Sequence, residues 1–495
     1  MRDIDSDFLA LPLRVLADAA LQRARDLGAA HADFRLERVR GRNLRLADGA
    51  VETAADTDTR GFAVRVIHNG VWGFAADTVL TPEAATAVAE RAVNVARVAA
   101  AAATDRVDLA PEPTHSDVTW VSSYEVDPFE VPSTEQSAVL AEWSQRLLAD
   151  PRVDHVDAML AIAKDQKFYA DTAGTTTTQQ RVRMAPVVDA LAVRDGVLDS
   201  MRTITPPAGR GQEYLPTVER ELDQLPELLA EKLAAPSVEP GDYDLVIHPS
   251  NLWLTIHESI GHATELDRAL GYEAAFAGTS FATPDQLGTL RYGSAIMNVT
   301  GDRTVEHGLA SIGYDDEGVA TSSFDLVRNG MLVGYQRDRR ISAAQGYARS
   351  NGCAFADSPA SMPLQRMANV SLAADPEGPD TDGLISGVER GIYMVGDRSW
   401  SIDMQRYNFQ FTAQRFYRIE NGRLAGMLRD VAYQATTTDF WNSLAALGGP
   451  STYVLGGSFM CGKGQPGQVA SVSHGCPSAL FSGVRVLNTV QEAGK

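Results

Sequence analysis

The segment His257-Glu258-Ser259-Ile260-Gly261-His262 constrains the fold of this chain more than any other, because it places two imidazoles and a carboxylate within one short stretch. Zinc hydrolases use the related pattern H-E-x-x-H, in which both histidines lie on one helix face and the glutamate is the general base. Here one more residue separates the histidines, and at about 100° per residue a regular helix aims them apart. They converge only in a widened, π-type turn, which often marks functional sites and which suits Gly261 because it has no side chain to clash.

The residues before this segment predict that it lies in the protein interior. Residues 243–247 are typical of a short buried strand, and residues 251–256 begin an apolar helix that continues into the motif. The alternative is a solvent-exposed helix whose histidines have no function. A helix this apolar, however, is expected to be buried. Buried polar side chains need partners, and a metal ion supplies them. The pattern therefore favours a metal site.

Composition restricts the class of protein. The chain has 495 residues, which predicts two or three domains, and its net charge of −20 argues against nucleic acid or an anionic membrane as a partner. The three cysteines, Cys353, Cys461 and Cys476, cannot form a disulfide framework and suit a reducing compartment. The first residues do not have the pattern of a secretory signal, and no stretch has the apolar length of a membrane span. We therefore expect a cytoplasmic protein.

Hydrophobic periodicity and turn residues predict an α+β fold. Alternating segments joined by Asp48-Gly49 and Asn69-Gly70 predict hairpins, and Thr81-Pro82 is typical of the start of a helix. We expect an N-terminal antiparallel sheet with flanking helices. A C-terminal β-rich part, barrel-like or sandwich-like, is expected to follow. The helix that carries the candidate zinc motif lies near its start.

A Pro/Gly-rich break at residues 236–241 is the clearest domain boundary. We predict an N-terminal α+β domain at residues 1–104 and a middle α+β segment at residues 105–235 that packs with it. The β-rich domain with the metal motif is predicted at residues 241–490.

The motif needs a third metal ligand from elsewhere, because a catalytic zinc takes three protein ligands and keeps one position open. Cys461 lies in a glycine-lined segment, which allows close approach of the backbone. The residues alone leave the choice open between Cys461 and the other candidates, which are Cys476, Cys353, His474, His307 and Glu265.

Several segments outside the motif match a known family pattern. Residues 32–37, 61–66 and 72–75 look like that family's first domain, and residues 313–318, Gly-Tyr-Asp-Asp-Glu-Gly, look like its DDEG turn. Residues 363–369 are similar to its PRMTN segment, although they read Pro-Leu-Gln-Arg-Met-Ala-Asn. Together with the H-E-x-x-x-H signature, these segments resemble the TldD/PmbA family of cytosolic metallopeptidases over nearly the whole chain.

The resemblance implies a metal-bearing, TldD-type subunit, since the PmbA/TldE-type partner lacks the two-histidine signature. It implies zinc held by His257, His262 and a cysteine near the C-terminus, which maps onto Cys461. It also implies a dimer, with an identical chain or a TldE/PmbA-like paralogue, whose cavity encloses the site and binds extended peptides along strand edges. The segment Ser473-His474-Gly475-Cys476-Pro477 departs from the family by adding a histidine and a cysteine near the third ligand.

The predicted function is therefore a zinc-dependent peptidase that hydrolyses amide bonds in short or unfolded peptides. Glu258 is the expected catalytic base, which takes a proton from water activated by zinc and returns it to the leaving amine. The alternatives are a non-catalytic peptide-binding or scaffold subunit with structural zinc, and a tailoring amide hydrolase in a modified-peptide pathway. Glu258 argues against the scaffold, because a structural site needs no base.

Other polar residues are candidates for supporting roles. Glu265 and Asp267 are candidates to orient the imidazoles. The candidate donors to the oxyanion are Tyr335, Arg366 and His307. The acidic run Asp315, Asp316 and Glu317 looks like a metal cluster, but a turn before Gly318 explains it with fewer assumptions.

Overall fold

The computed structural model describes residues 3–464, 466–492 and 494. Its helices α1–α12 span Ser6–Leu9, Leu13–Asp26, Pro82–Ala99, Ser133–Leu148, Pro216–Leu222, Leu225–Ala234, Pro249–Ile256, Leu266–Ala269, Arg339–Ala344, Thr381–Ser386, Thr437–Asn442 and Thr489–Glu492. Its strands β1–β22 span His31–Ala47, Ala50–His68, Val71–Asp77, Val118–Val121, His155–Asp171, Thr176–Arg194, Val197–Arg202, Gly241–Ile247, Val299–Asp302, Ser323–Arg328, Met331–Leu332, Ala354–Phe355, Leu364–Gln365, Asn369–Leu372, Arg390–Ile402, Asn408–Glu420, Arg423–Leu428, Val431–Thr436, Leu444–Leu447, Val454–Lys463, Gln468–Cys476 and Ala479–Asn488. Among these helices, none combines the length and the apolar character needed to cross a bilayer.

Strands β1 to β7 form one sheet in the order β3-β2-β1-β5-β6-β4, with β7 paired to β6. All its pairs are antiparallel except β4 with β6. The predicted hairpin turns are present, since Asn69 and Gly70 have φ values of 54° and 74°, which Asn and Gly adopt most readily. Strands β4 to β7 thus share a sheet with β1 to β3. The boundaries at residues 1–104, 105–235 and 241–490 stay a prediction.

Helices pack on this sheet in two places, in agreement with the prediction of flanking helices. Buried side chains of α2 and α3 pack on Phe34 and Phe62 at one end of the sheet. Gly73 of β3 is needed there, because a Cβ atom at that position would lie 1.9 Å from the carbonyl oxygen of Ala92 in α3. Helix α4 packs at the other end through Trp143, in a second core with α5 and α6.

The second half of the chain contains a closed barrel of β8, β22, β18, β16 and β15. Neighbouring strands pair antiparallel except β15 with β8, which run parallel and close the ring. Each strand contributes a fully buried side chain to one core, namely Leu245, Val486, Tyr433, Phe411 and Ile392. The prediction of an α+β fold with a β-rich second half is confirmed, and the barrel is the form that it takes.

Helix α7 follows barrel strand β8 directly and leads into the H-E-x-x-x-H segment. Leu252 and Ile256 of α7, and Ile260 of the segment, join the same core as the barrel strands. The motif is therefore anchored by apolar side chains on the barrel, near the start of the second half, as predicted.

The acidic run at residues 315–317 lies in a buried turn that joins the two halves of the chain. Asp316 accepts a hydrogen bond from Lys167 Nζ in β5 at 2.7 Å, and Glu317 accepts one from Arg65 Nη1 in β2 at 3.0 Å. Asp315 accepts hydrogen bonds from three backbone N–H groups of its own half. Asp316 and Glu317 therefore hold the barrel half against the first sheet and Asp315 shapes the turn, which are structural roles.

We expect Lys167→Met to lower the free energy of unfolding by about 3–5 kcal/mol, because it leaves buried Asp316 and Glu37 without their shared cation. Urea denaturation followed by circular dichroism measures the loss. Arg91→Gln is the matched control, since it breaks a half-exposed surface pair with Asp77 and should barely move the midpoint. Equal midpoints for the two variants would contradict the role of this ion pair in joining the halves.

Candidate metal centre

The helix distortion predicted from the histidine spacing is present. Residues His257–Gly261 form a π-helical turn after α7, and the short 3₁₀ turn His262–Thr264 follows it. The rings of His257 and His262 consequently approach to a centroid distance of 4.7 Å. Gly261 has a further reason to be glycine, because a Cβ atom there would lie 2.6 Å from the sulfur of Met367.

Strand β20 brings Cys461 to these two rings. Its Sγ lies 3.7 Å from His262 Nε2, and one ligand atom of each of His257, His262 and Cys461 lies within 4.8 Å of the others. All three side chains are buried. A group of two imidazole nitrogens and one sulfur at this spacing has the composition of a tetrahedral zinc site with one open position.

The remaining candidates for the third ligand have other contacts. The Cys476 thiol contacts the carbonyl oxygen of Pro249 at 3.8 Å, and the Cys353 thiol contacts that of Asn351 at 3.9 Å. His307 hydrogen-bonds to the carbonyl oxygen of Gly209. Among the described residues, these side chains form no second cluster of potential metal ligands.

Glu265, one of the two acidic residues predicted to orient the imidazoles, orients His262. Nδ1 of His262 lies 2.8 Å from Oε2 of Glu265, so that Nε2 is the nitrogen left for a metal. Asp267, the other candidate, instead pairs with Lys463 Nζ at 2.7 Å. Lys463 also lies 3.5 Å from Glu265 and so holds this carboxylate in place.

His257 is oriented by His474 through a chain of two hydrogen bonds. His474 Nδ1 lies 2.9 Å from the carbonyl oxygen of Val370, which can only accept, so His474 is the donor there. His474 Nε2 then accepts from His257 Nδ1 at 2.7 Å, which leaves the lone pair of His257 Nε2 free. Both nitrogens of His474 are engaged, so it supports a ligand and does not act as one.

Burial sets the protonation state of the three candidate ligands. It lowers the pKa of His257 and of His262 well below 6.5, with further lowering from neighbouring cationic groups such as Arg406. Both rings are thus neutral at pH 7, as metal ligands must be. Burial raises the pKa of the Cys461 thiol to about 11, and a coordinated dication removes such a proton outright.

The carboxylate of Glu258 is buried beside a cation. Burial raises its pKa, and the Arg406 guanidinium opposes this shift from a distance of 2.6 Å between Nη1 and Oε2. The Trp400 indole lies beside Glu258 and also acts to lower the pKa of this carboxyl. Arg406 adopts a left-handed backbone conformation, φ 63°, in a turn whose N–H groups are bound by Asp403.

The sequence contains no motif that identifies Arg406 or Trp400, since Trp400 lies in β15 and Arg406 in the connection from β15 to β16, far from the histidines in the chain. The predicted oxyanion donors are engaged elsewhere. Tyr335 donates to the carbonyl oxygens of Ala282 and Thr283, and Arg366 donates to those of Cys461 and Gln468. Arg366 therefore fixes the backbone of the candidate sulfur ligand.

Two family models match the chain. One described as PmbA/TldA metallopeptidase C-terminal domain matches residues 240–488, and one described as PmbA/TldA metallopeptidase domain 1 matches residues 32–96. The first match alone spans half of the chain and contains all three candidate ligands.

Known proteins are similar over nearly the full length. A metalloprotease of Methanothermobacter thermautotrophicus is 27% identical over 492 residues, which are 98% of this chain and 100% of that protein. The zinc metalloprotease TldD homolog of Saccharolobus solfataricus is 24% identical over 493 residues, covering 94% and 98%. The crystal structure of TldE from Thermococcus kodakarensis has the same fold, with a TM-score of 0.73 at 13% identity and coverage of 95% and 99%.

We expect ¹⁵N NMR of histidine-labelled protein, without metal at neutral pH, to show the proton on Nδ1 of both His257 and His262. The reason is that His474 and Glu265 accept at these nitrogens. His155 is the internal control, since it is exposed and its hydrogen bond to Asp48 raises its pKa above 6.5, so it should become protonated as the pH is lowered. A proton on Nε2 of either ring would contradict this orientation.

Proposed function

The chain belongs to the TldD/PmbA family of metallopeptidases, and we propose that it is a zinc-dependent peptidase whose metal is held by His257, His262 and Cys461. The convergence of these three buried side chains is the observation that carries the proposal. Two nitrogens and one sulfur suit zinc, and the relative from Saccharolobus solfataricus has zinc in its name.

We propose Glu258 as the catalytic base. When bound, zinc supplies a Lewis acid that lowers the pKa of a water and polarises the scissile carbonyl. Glu258 accepts the proton of the attacking water and delivers it to the leaving amine. Arg406 holds the carboxylate for this transfer, and its guanidinium favours the charged form despite burial.

An extended peptide suits the surroundings of Cys461. Strand β20 pairs with β21 along one edge, and no described strand pairs with its other edge. A free edge beside the candidate ligand can bind a peptide main chain as an additional strand. Most backbone groups of a folded protein are already hydrogen-bonded, so we propose short or unfolded peptides as substrates.

We propose that the site is enclosed in a dimer cavity, formed with an identical chain or with a TldE/PmbA-like paralogue. The likeness to TldE in fold supports a partner of this type. We also propose a cytoplasmic location, which the unpaired state of Cys353, Cys461 and Cys476 supports because free thiols suit a reducing compartment.

A scaffold with structural zinc would require a fourth protein ligand. His474 has both nitrogens engaged, and the Cys476 thiol contacts Pro249 instead, so neither closes the site.

A tailoring amide hydrolase would use the same residues. Mass-spectrometric profiling of cleaved peptides, with and without a co-expressed paralogue, separates it from a general peptidase.

We expect Glu258→Gln to lower kcat for peptide hydrolysis by a factor of about 10²–10⁴ while zinc content stays unchanged, because it removes the base and no ligand. Peptide cleavage assays and elemental analysis measure the two quantities. Glu83→Gln, at an exposed position in α3, is the matched control and should behave as wild type. Full activity in Glu258→Gln would remove Glu258 from the mechanism.

We expect Cys461→Ser to lose zinc during purification, because a hydroxyl replaces the thiolate ligand. Cys476→Ser, a change of the same kind at a buried cysteine of the adjoining strand, should retain zinc. Elemental analysis of both purified proteins decides between them. Equal zinc content in the two variants would assign the third ligand to another residue.

A further inference from the structure

A cavity of about 290 Å³ opens beside the candidate metal centre, between the first sheet and the barrel half. It is close to the lower end of the range for ligand pockets, about 300–1,000 Å³. We call it the tryptophan pocket, and its apolar wall includes Pro186, Val187, Trp253, Trp400, Val454 and Phe459.

The two indoles of the tryptophan pocket also contact the metal centre. Trp253 lies edge-on to His257 with ring centroids 6.3 Å apart, and Trp400 lies beside the Glu258 carboxylate and acts to lower its pKa. A group bound in the pocket would therefore lie next to the base and to one candidate ligand. This is the place that a substrate residue beside the scissile bond would occupy.

Neighbouring side chains fix the position of Trp253, whereas Trp400 is exposed to solvent. Trp253 stacks on His474 at an interplanar angle of 11°, and Gly456 makes room for its indole, since a Cβ atom there would lie 2.8 Å from Trp253. Trp400, in contrast, is 55% exposed. An exposed indole beside a buried carboxylate is a surface suited to an apolar ligand, because aromatic residues dominate binding hot spots.

The charges that line the pocket are neutralised within the protein. Arg202 pairs with Asp397 and also donates to its carbonyl oxygen at 3.0 Å, and Arg398 pairs with Asp199 at 2.8 Å. A charged substrate side chain would have to compete with these pairs. The pocket therefore favours an uncharged side chain that is large enough to contact both indoles.

We propose that the tryptophan pocket is the specificity site of this peptidase and that it binds a large apolar side chain, of the Phe, Leu or Met class, next to the bond that is cleaved. This proposal rests on the proposed peptidase function. Burying one such side chain accounts for a preference of about tenfold or more over glycine at the same position.

The test uses two sets of short, unstructured peptides of Gly, Ser and Lys. One set carries a single Phe, moved along the sequence, and the other carries Gly at the matched position. We expect wild-type protein to cleave the best Phe peptide with a kcat/KM at least about tenfold above that of its Gly partner. Val187→Trp, which fills the pocket from β6, should reduce this ratio to near one.

Val193→Trp is the matched control, because it makes the same change at a half-exposed position of the same strand outside the pocket, and it should keep the wild-type ratio. Val454→Phe fills the pocket from the opposite wall and replaces Val187→Trp if that variant does not fold. A wild-type ratio near one, or a wild-type ratio retained in the pocket-filling variants, would overturn the proposal.

Binding to the Glu258→Gln protein separates this proposal from the peptidase function. Calorimetry should show a lower Kd for the Phe peptide than for the Gly peptide, and Val187→Trp in the same background should remove the difference. If binding is selective but wild type cleaves no peptide, the pocket is supported and the peptidase function fails. If peptides are cleaved without selectivity in binding or rate, the pocket proposal fails alone.

Discussion

The hydrogen bonds at Nδ1 of His257 and His262 are the interaction on which the candidate metal centre depends. A neutral imidazole can carry its proton on either nitrogen, so a ring brought to the right place still has two atoms to present. His474 and Glu265 accept at Nδ1 and leave both Nε2 lone pairs for a shared ligand. The π turn brings the rings together, and these acceptors determine which nitrogen of each ring is available to bind a metal.

The acceptors are held by strands that also form the rest of the site. Val370 of β14 fixes His474, and Lys463, at the end of β20, lies between Glu265 and Asp267. The same strand thus carries the candidate sulfur ligand and the cation behind the partner of His262. Buried charges are costly unless paired, and removing one member of such a network leaves the others uncompensated. Stability and metal geometry are therefore coupled at this point.

The space for a substrate exists only because the two halves of the chain are locked together. Asp316 and Glu317 bind Lys167 and Arg65 of the first sheet, which holds β6 opposite β20. The tryptophan pocket forms in the gap between these strands. The proposed chemistry thus belongs to the barrel half, whereas the proposed selectivity requires both halves.

Local features of the chain could be predicted because they depend on neighbouring residues. The five-residue step from His257 to His262 required a π turn, and Asn69-Gly70 required a hairpin, since backbone geometry alone sets both. The α+β character and the β-rich second half followed from periodicity in the same way. The sequence also supplied Cys461 as a candidate ligand, but only as one of several, and the family resemblance was needed to select it.

Which side chains meet at one point was decided by the tertiary structure. Cys461 reaches His262 across 199 residues, and Arg406 reaches Glu258 across 148, through strand pairings that leave no local pattern in the chain. For the same reason Tyr335, Arg366 and His307 were reasonable oxyanion donors by chemistry, yet they hydrogen-bond to backbone carbonyls instead. The sequence by itself determined the reactive residue types and the bend that joins two of them. The fold determined their partners, because contact between distant residues depends on the packing of the whole chain.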